Sequence, residues 1–590
     1  MKKITKLAAL TALIIGLTGC AKQQHPSDVT EATINYPDVT LVSWSDFHSA
    51  IYEKVGKDGV ATGGLPVFMA AIEHARGDGL SLLIDGGDMC QGDTVFNEAK
   101  GMGMVEVMNA LKIDAATFGN HEFDYGSSEK YPDSPRGALQ EMIEASQFQW
   151  VNANIAPTAE NTDHWPYPQL KPYTIIPKGP YRIAVIGITT HETTISTNIT
   201  NVAGIEFHRA AETLKQIIPE VVAQDPDFVI IDAHISGLPT VEYNLGDTLQ
   251  DVPFDDEIGE ILALPDDIKK HINLLLSAHS HSSFIAHEGN LTIIQSPNKG
   301  SEFTTMTLFG DKDGLHLNRA SIQKHHTTHI PIDVACGEPK VAFTPIDVGG
   351  VTLMPSQLGA NIVTKYEKRM THDRCEIVSC ADEPIERSKT QESPLGNLVA
   401  DSMLDLYPDS DIALVNSGGL RTDLPKGKIY RDTLSGVMPY DNYVQQLRVT
   451  GSDIIKMLKL SSSLKNGLTF VSNLTYQFEP DCKNPEDLNG DGNIDPWENN
   501  CLCEEILIKG QPIVPSQIYT IVTSSFLVDG GDDHAVCFKN AERLNTGTTI
   551  RENLIRYAQS KDGCFVKSSL ISSDSPRIKI TSCNGKYAIK

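Results

Sequence analysis

The stretch ATFGNHEFDYG, residues 116 to 126, ends an apolar run in a burst of polar side chains, among them Asn120, His121 and Asp124. At the end of a single strand such a burst is an ordinary solvated turn. What gives it weight is that other strand-like runs end the same way. VTLVSWSDFH (39–48) finishes in Asp46 and His48, LSLLIDGGD (80–88) in Asp88, DFVIIDAH (227–234) in His234, and NLLLSAHSH (273–281) in His279 and His281. In open α/β sheets, ligands bind in the crevice beyond the carboxyl ends of the strands, so these groups are expected to converge.

Between these runs lie amphipathic helical segments, at 65–76, 102–111 and 209–223, and a further apolar run, YRIAVIGI (181–188). This alternation predicts a layered α/β domain over residues 36–335. A chain of 590 residues is too long for one core. Residues 336–370 read as a linker, rich in Pro and Gly up to 352 and continuing in a connecting helix, QLGANIVTKYEKRM. The second half, 371–590, has its own apolar runs, DIALVNSGG and YTIVTSSFLV, and can bury a second α/β core.

The 49 Lys and Arg against 76 Asp and Glu leave a net charge of −27. That balance argues against binding a nucleic-acid polymer or a broad anionic membrane surface, both of which need a basic footprint. An anionic substrate would need metal ions or a few arginines in a concave site. No segment marks an obligate protein partner.

The first residues, MKKITKLAALTALIIGLTGC, place three lysines ahead of an apolar stretch that stops at Cys20. Spanning a membrane takes about 20 apolar residues, so the segment reads as a signal peptide, residues 1–20. LTGC resembles a bacterial lipobox, which implies cleavage before Cys20 and lipidation of its sulfur. Residues 21–35 read as a tether, and Ala21, not being aspartate, favours the outer membrane by resemblance to sorted lipoproteins. Of the ten remaining cysteines, eight lie beyond residue 370, which in an oxidising compartment suggests disulfides in the second half. Cys375 and Cys380 could close a small loop, and Cys482 could join Cys501 or Cys503. A zinc ribbon would need paired C-x-x-C spacings, which are missing.

The ligand set of the first half is carboxylate, imidazole and one amide, without thiolate, and suits zinc, manganese or cobalt. It is too large for one ion. Two ions about 3.5–4 Å apart would form the clamp used for in-line attack on phosphorus, activating water and neutralising the phosphoryl oxygens. The small residues Gly86, Gly87 and Ser280 allow close backbone approach.

D-x-H at 46–48, GD at 87–88, GNHEFD at 119–124, HISG at 234–237 and H-x-H at 279–281 resemble the calcineurin-like metallophosphoesterases, in particular the exported 5′-nucleotidases and UDP-sugar hydrolases. The resemblance covers nearly all of the mature chain. It implies a four-layer metallophosphoesterase sandwich followed by a connecting helix and a C-terminal nucleotide-recognition domain. It implies further that Asp46, His48, Asp88 and His281 hold one metal and Asp88, Asn120, His234 and His279 the other. His121 would donate toward the ester oxygens, and Asp124 would orient His121. Ala278 stands where the family usually has Gly, a change that removes no ligand.

In the second half, ESPLGNLVADSM (392–403), NSGGLRTDL (416–424), VMPYDN (437–442) and FLVDGGDD (526–533) resemble the nucleotide-recognition domain of the same enzymes. The resemblance implies that Tyr440 and Phe526 stack on either face of the base, that Asp532 accepts from the ribose hydroxyls, that Asn416 contacts the nucleoside and that Arg421 holds a phosphate or the terminal anionic group. Lys389 stands where many relatives have Arg, with Arg387 two residues earlier as a candidate replacement, and a lysine loses bidentate phosphate recognition. Tyr440 replaces the commoner Phe. Holding base and metals on separate domains implies rotation about the 350–375 connector.

The expected function is an extracytoplasmic two-metal phosphohydrolase acting on nucleotides, as a 5′-nucleotidase with NAD or UDP-sugar pyrophosphatase activity open, for scavenging. The alternatives are a 2′,3′-cyclic-nucleotide phosphodiesterase, a thiosulfohydrolase, against which the aromatic pair argues, and a retired enzyme kept as a nucleotide-binding lipoprotein, against which the full ligand set argues. One motif remains. DLNGDGNIDPWE (487–498), within an insertion at 482–503, has the spacing of a twelve-residue EF-hand loop: Asp487, Asn489, Asp491, Asp495 and Glu498 at positions 1, 3, 5, 9 and 12, the Asn493 carbonyl at 7 and Gly492 at the turn. A structural calcium ion is expected there. Pro480 and Pro485 leave no room for an entering helix, so the loop should be a clip and not a sensor.

Overall fold

The computed structural model describes residues 36–56, 58–331, 344–370 and 373–588. The residues expected to form a signal peptide, a lipidated Cys20 and a tether lie outside the described residues, as does part of the 336–370 linker. Among the described residues no helix is long and apolar enough to cross a membrane.

Strand Val39–Trp44 shows how the layers arise. Its alternate side chains face opposite ways: Val39 and Leu41 join Leu82, Ile84, Ile183, Val185, Ile230 and Leu274 in one core, while Val42 and Trp44 join Phe68, Leu83, Met104 and Val105 in another. A strand apolar on both faces has to be covered on both. In the strand Phe228–His234 the division repeats, with Phe228 and Ile230 in the first core and Val229, Ile231 and Ala233 against Leu214, Ile218 and Ile258. Two sheets therefore pack face to face with helices outside each, the expected four layers. Truncating a buried member such as Leu82 to Ala should cost about 2–5 kcal/mol.

The first sheet has seven strands, running Gly314–Leu317, Glu302–Asp311, Val39–Trp44, Leu80–Asp85, Ala115–Ala116, Gln149–Trp150, with Gln323–His326 also against Glu302–Asp311. The second, also of seven, runs Thr248–Gln250, Phe284–Glu288, Leu291–Gln295, Leu274–Ser277, Phe228–His234, Tyr181–Thr189, Tyr173–Lys178. The strands that precede the polar bursts are parallel within each sheet: Val39–Trp44 with Leu80–Asp85, Leu80–Asp85 with Ala115–Ala116, and Phe228–His234 with Leu274–Ser277. Their carboxyl ends consequently share one edge.

The helix Gln357–Glu367 starts at Ser356, whose side chain accepts from Gly359 N. It buries Ile362, Val363 and Tyr366 in the core of the first domain, so by packing it belongs to that domain. The second domain is built on a five-stranded sheet ordered Thr469–Ser472, Ile412–Asn416, Ile518–Ser524, Tyr443–Thr450, Glu542–Thr549, covered by the helices Pro394–Leu406, Gly451–Ser462 and Ile550–Ser560.

Disulfides join Cys380 to Cys564, Cys482 to Cys501 and Cys503 to Cys583. The expected Cys375–Cys380 loop does not form. Strand Ile377–Ala381 lies beside Phe565, with Ala381 bridged to it, which carries Cys380 to Cys564 instead. Cys482 takes Cys501, one of its two sequence alternatives, and Cys90 and Cys537 are free and buried.

Candidate active site

The edge where the parallel strands end is built from tight reversals. Asp46, His48, Asp88, His279 and His281 all have positive φ, between 50° and 70°. A left-handed conformation costs a non-glycine residue about 1–2 kcal/mol, so five in one place mark a site whose geometry overrides local preference. The reversals are locked to one another: Asp46 N donates to Gly87 O and His48 N to Asp88 O, each at 2.9 Å. Gly119 has to be glycine, since a Cβ there would stand 2.0 Å from Asp88 Oδ1.

Two groups of ligand atoms result. In one, Nε2 of His48 and Nε2 of His281 are 2.9 Å apart and His281 Nε2 is 3.4 Å from Asp46 Oδ1. In the other, His234 Nε2 is 3.1 Å from Asp88 Oδ2 and 3.2 Å from His279 Nδ1. Asp88 Oδ2 also lies 3.9 Å from His48 Nε2, between the groups. Such spacings fit donors that share an ion at about 2.0–2.2 Å.

The groups behind these donors support the same arrangement. His234 Nδ1 donates to Gly86 O at 2.9 Å, which turns Nε2 toward Asp88, and the Asn298 amide lies 2.9 Å from His281 Nδ1. Glu122, buried under the turn, accepts from the backbone N–H groups of Asp88, Cys90 and Gly119 at 2.9, 3.1 and 2.6 Å. Its carboxyl is pushed up to about 7, first by burial and then by Asp88.

Asn120 supplies the test of whether ions fit. Its Nδ2 donates to Ser196 O at 3.3 Å, while its buried Oδ1 has no hydrogen-bond partner. A buried amide oxygen without a donor is costly unless a cation or water serves it. Titration agrees. Burial holds the imidazoles of His279, at about 3, and of His48 in the neutral form that ligates, with His234 adding to it at His279 and Asp88 opposing it at His48. Asp46 is burdened by burial, yet His281 and His234 draw it down to about 2. One proton stays: against the effect of burial, Asp88 lifts His234 to about 10. That proton occupies the place of positive charge.

His121 faces this centre. Its Nδ1 lies 2.7 Å from Asp124 Oδ2, and Asp124 is held in turn by Thr197 Oγ1 at 2.6 Å and Gln91 Nε2 at 3.1 Å. Burial opposes its charge, but Asp124 and Asp88 outweigh burial and raise its pKa above the ordinary value.

The second domain reaches the same place. The Tyr440 ring stacks on His121, and the Arg421 guanidinium stands 5.8 Å from the Tyr440 centroid. A cavity of about 460 Å³ between the domains is lined by His281, Asn298, Lys299, Arg387, Ser388, Lys389, Arg421 and Asp423. Lys389 and Arg387 thus line one space. Asn416 Nδ2 donates to Asp532 Oδ2 at 2.8 Å. Phe526 lies against Gly531, where a Cβ would stand 2.4 Å from its ring, and makes no ring contact with Tyr440.

Several supporting residues escaped the sequence reading. Glu122 sits inside the GNHEFD motif and could have been found there. Gln91, Thr197, Asn298 and Lys299 carry no sequence signal, because only the fold brings them to the site.

The 487–498 loop is folded on itself. Asp487 accepts from Gly490 N and Gly492 N at 2.6 and 3.1 Å, and Gly492 has φ 92°. The buried Glu498 accepts from Leu488 N, Asn489 N and Asp495 N at 2.9, 3.0 and 2.8 Å. Ile494, at position 8, is 58% exposed.

Comparison with known proteins accords with this geometry. Residues 41–283 match the family described as calcineurin-like phosphoesterase, and residues 373–540 match the 5′-nucleotidase C-terminal domain. The chain is 24% identical over 595 residues to the cell wall protein Lmo0130 of Listeria monocytogenes, covering 95% of this chain and 71% of that one. It is 23% identical over 549 residues to protein UshA of Escherichia coli, covering 88% and 90%. Of two longer Bacillus subtilis relatives it spans only 36% and 29%. The crystal structure of a 5′-nucleotidase precursor from Thermus thermophilus superposes with a TM-score of 0.69 at 20% identity, over 92% of this chain and 99% of that one. The fold and the donor set at its strand ends thus define a metal-dependent phosphoesterase of the calcineurin-like class. Within that class, the chain belongs to the family that carries the 5′-nucleotidase C-terminal domain.

Proposed function

We propose that this protein hydrolyses phosphate esters of nucleotides outside the cytoplasm, as a 5′-nucleotidase serving nucleotide and phosphate scavenging. The observation that carries the reading is the unpartnered, buried Asn120 Oδ1 beside two donor groups that meet at Asp88, under a Tyr440 ring stacked on His121. Asp46, His48, Asp88 and His281 hold one divalent ion, and Asp88, Asn120, His234 and His279 hold the other. Such a pair supplies Lewis acidity, lowers the pKa of the attacking water and neutralises the phosphoryl oxygens.

The chain's own residues do the rest. His121, whose protonated form Asp124 favours, donates toward the charge that develops on the ester oxygens. Arg421 takes the oxygens of the scissile phosphate, and Lys389 lines the substrate cavity beside it. Tyr440 and Phe526 hold the base, Asp532 accepts from the ribose hydroxyls and Asn416 fixes the nucleoside. The test is phosphate release from a panel of AMP, NAD, UDP-glucose and cyclic AMP, with zinc, manganese or cobalt and with a chelator. Release from AMP that the chelator abolishes is expected, and chelator-insensitive release or none would overturn the reading.

The disulfides of the second domain accord with an oxidising compartment. Together with the LTGC motif they support export and attachment to the outer membrane through lipidated Cys20. Metabolic labelling with a radioactive fatty acid that disappears in Cys20→Ala is the expected result. The spacing of residues 487–498 supports a structural calcium ion held by Asp487, Asn489, Asp491, Asn493, Asp495 and Glu498.

A further inference from the structure

The interdomain cavity carries more positive charge than one phosphate needs. Lys299 comes from the first domain, while Arg387, Lys389 and Arg421 come from the second. Among the described residues none of these four lies within ion-pair distance of a carboxylate, although Asp93 attracts Lys299 from further off. Neither lysine side chain donates a hydrogen bond there, and Arg387 and Arg421 reach only the carbonyls of Leu420 and Gly418, each at 3.4 Å. The one carboxylate in the lining, Asp423, accepts from Arg387 N at 3.0 Å. Four cations facing one another across a domain boundary repel, and an anion between them relieves the repulsion.

The scissile phosphoryl does not account for that anion. Two divalent ions held by Asp46 and Asp88 would bring a net charge of about +2, which would already match a phosphoryl dianion. Arg421 stands nearest that centre, close to Tyr440 and lining the cavity with His281. Lys299, Arg387 and Lys389 are left over. Lys299 is also built in, and does not merely drift on the surface: its φ is 60°, and its N–H donates to the carbonyl of Asp46 at 2.8 Å, so its backbone is fixed by a residue of the metal centre.

Resting on the nucleotide reading above, we propose that Lys299 is a specificity-determining residue which, with Arg387 and Lys389, holds a second phosphate group of the substrate and makes nucleoside diphosphates preferred over monophosphates. With ADP, water oxygen bonds to the β-phosphorus and the bond from that phosphorus to the bridging oxygen breaks. The bridging oxygen leaves with AMP, and the water's two protons are shared between the phosphate products and solvent. The α-phosphate stays among Lys299, Arg387 and Lys389 throughout.

The experiment compares initial rates of phosphate release from ADP and AMP by the metal-loaded full chain and by Lys299→Met, which keeps the stem and removes the charge. Wild type is expected to show kcat/KM at least tenfold higher for ADP, and the variant's ADP-to-AMP ratio to fall by about that factor. A wild-type preference for AMP, or a ratio within twofold of wild type in the variant, overturns the proposal. A second readout is independent of turnover. In chelator, ADP should raise the melting temperature of wild type more than AMP does, and the difference should vanish in Lys299→Met and return in Lys299→Arg. Equal stabilisation of wild type by the two nucleotides overturns the proposal as well. Cleavage of AMP with no ADP preference leaves the nucleotide reading standing, whereas loss of activity on every nucleotide removes both.

Discussion

Tyr440 of the second domain lies over His121 of the first, with ring centroids 5.6 Å apart and planes inclined at 24°. The contact is held in place on both sides. The carbonyl of Pro439 accepts from Asn97 Nδ2 at 3.3 Å and from Arg551 Nη1 at 2.8 Å, and Arg551 Nη2 reaches Asp441 Oδ1 at 2.5 Å. Asn97 in turn donates to Gln91 Oε1 at 2.5 Å, and Gln91 holds Asp124, the partner of His121. The loop offered to the base is therefore wired to the residue offered to the ester.

From this follows a division between binding and turnover. Stacking on a base is worth about 1–3 kcal/mol, so Tyr440→Ala should raise KM for AMP about tenfold or more, while Tyr440→Phe, which keeps the ring, should remain near wild type. On 4-nitrophenyl phosphate, which has no base, the alanine variant should lose much less. An equal loss on both substrates would place Tyr440 in support of His121 alone.

His121 and Asp124 should behave as a unit. Removing a positioned acid typically costs about 10²–10⁴-fold in rate, so His121→Ala should lower kcat by ~10² or more with an unchanged melting temperature. Asp124→Asn removes the charge that keeps His121 protonated. The alkaline limb of its pH–rate profile should therefore move to lower pH, since His121 then gives up its proton more readily. A pH profile identical to wild type would show that Asp124 does not control His121.

Uptake of metal should release a proton. His234 holds one in the metal-free site with a pKa pushed up to about 10, where burial works against the charge and Asp88 sustains it. An ion can bind Nε2 only when that proton leaves. Calorimetric titration of the chelator-stripped protein in buffers of different ionisation enthalpy should therefore report about one proton released at pH 7–8, and affinity should weaken as pH falls. A buffer-independent heat would mean that His234 is not a ligand.

Much of this was legible in the sequence because strand periodicity is local. The run VTLVSW shows apolar residues on both faces, and a strand buried on both faces calls for layers on each side. The residues proposed as ligands were legible for the same reason, each standing at the end of a strand or two to four residues beyond one. Lys299, Gln91 and Thr197 were not, since nothing near them in the chain records the partners that the fold supplies. One disulfide failed similarly: Cys375 and Cys380 are close in sequence, but Cys380 pairs across 184 residues because the strand that carries it borders the chain at Phe565. The helix 357–367 had the right period, but its apolar face did not say which domain would bury it.

Nucleotide binding should depend on pH through Asp532. Burial pushes its carboxyl up to about 7, with Asn416 opposing, so the group is protonated below that value and charged above it. A charged carboxylate accepts from ribose hydroxyls more strongly than a neutral acid. KM for AMP is accordingly expected to fall as pH rises from 6 to 8, and Asp532→Asn should flatten the profile. A KM that rises over this interval in wild type, or an unaltered profile in the variant, would remove Asp532 from the ribose site.

The loop at 487–498 gives the last prediction. Its twelve residues put hard oxygen donors at every position an EF-hand loop uses, yet Glu498 engages both carboxylate oxygens with the backbone N–H groups of Leu488, Asn489 and Asp495. Calcium would have to draw Glu498 into shared contact with the ion, so affinity should be modest, in the range of about 10⁻⁴–10⁻³ M found for extracellular modules. The disulfide Cys482–Cys501 already closes the base of the loop, so the gain should appear as stiffening and not as folding. With manganese saturating the catalytic site, calcium in the millimolar range is expected to raise the melting temperature of the full chain, and ligand binding at ten times Kd adds about 1.4 kcal/mol. Asp487→Ala combined with Glu498→Gln should abolish the rise while leaving AMP turnover intact. Glu498→Gln alone also weakens the internal bonds and should lower the calcium-free melting temperature, which separates the two jobs of that residue. A wild-type melt indifferent to calcium would leave 487–498 as a turn held by Glu498 alone.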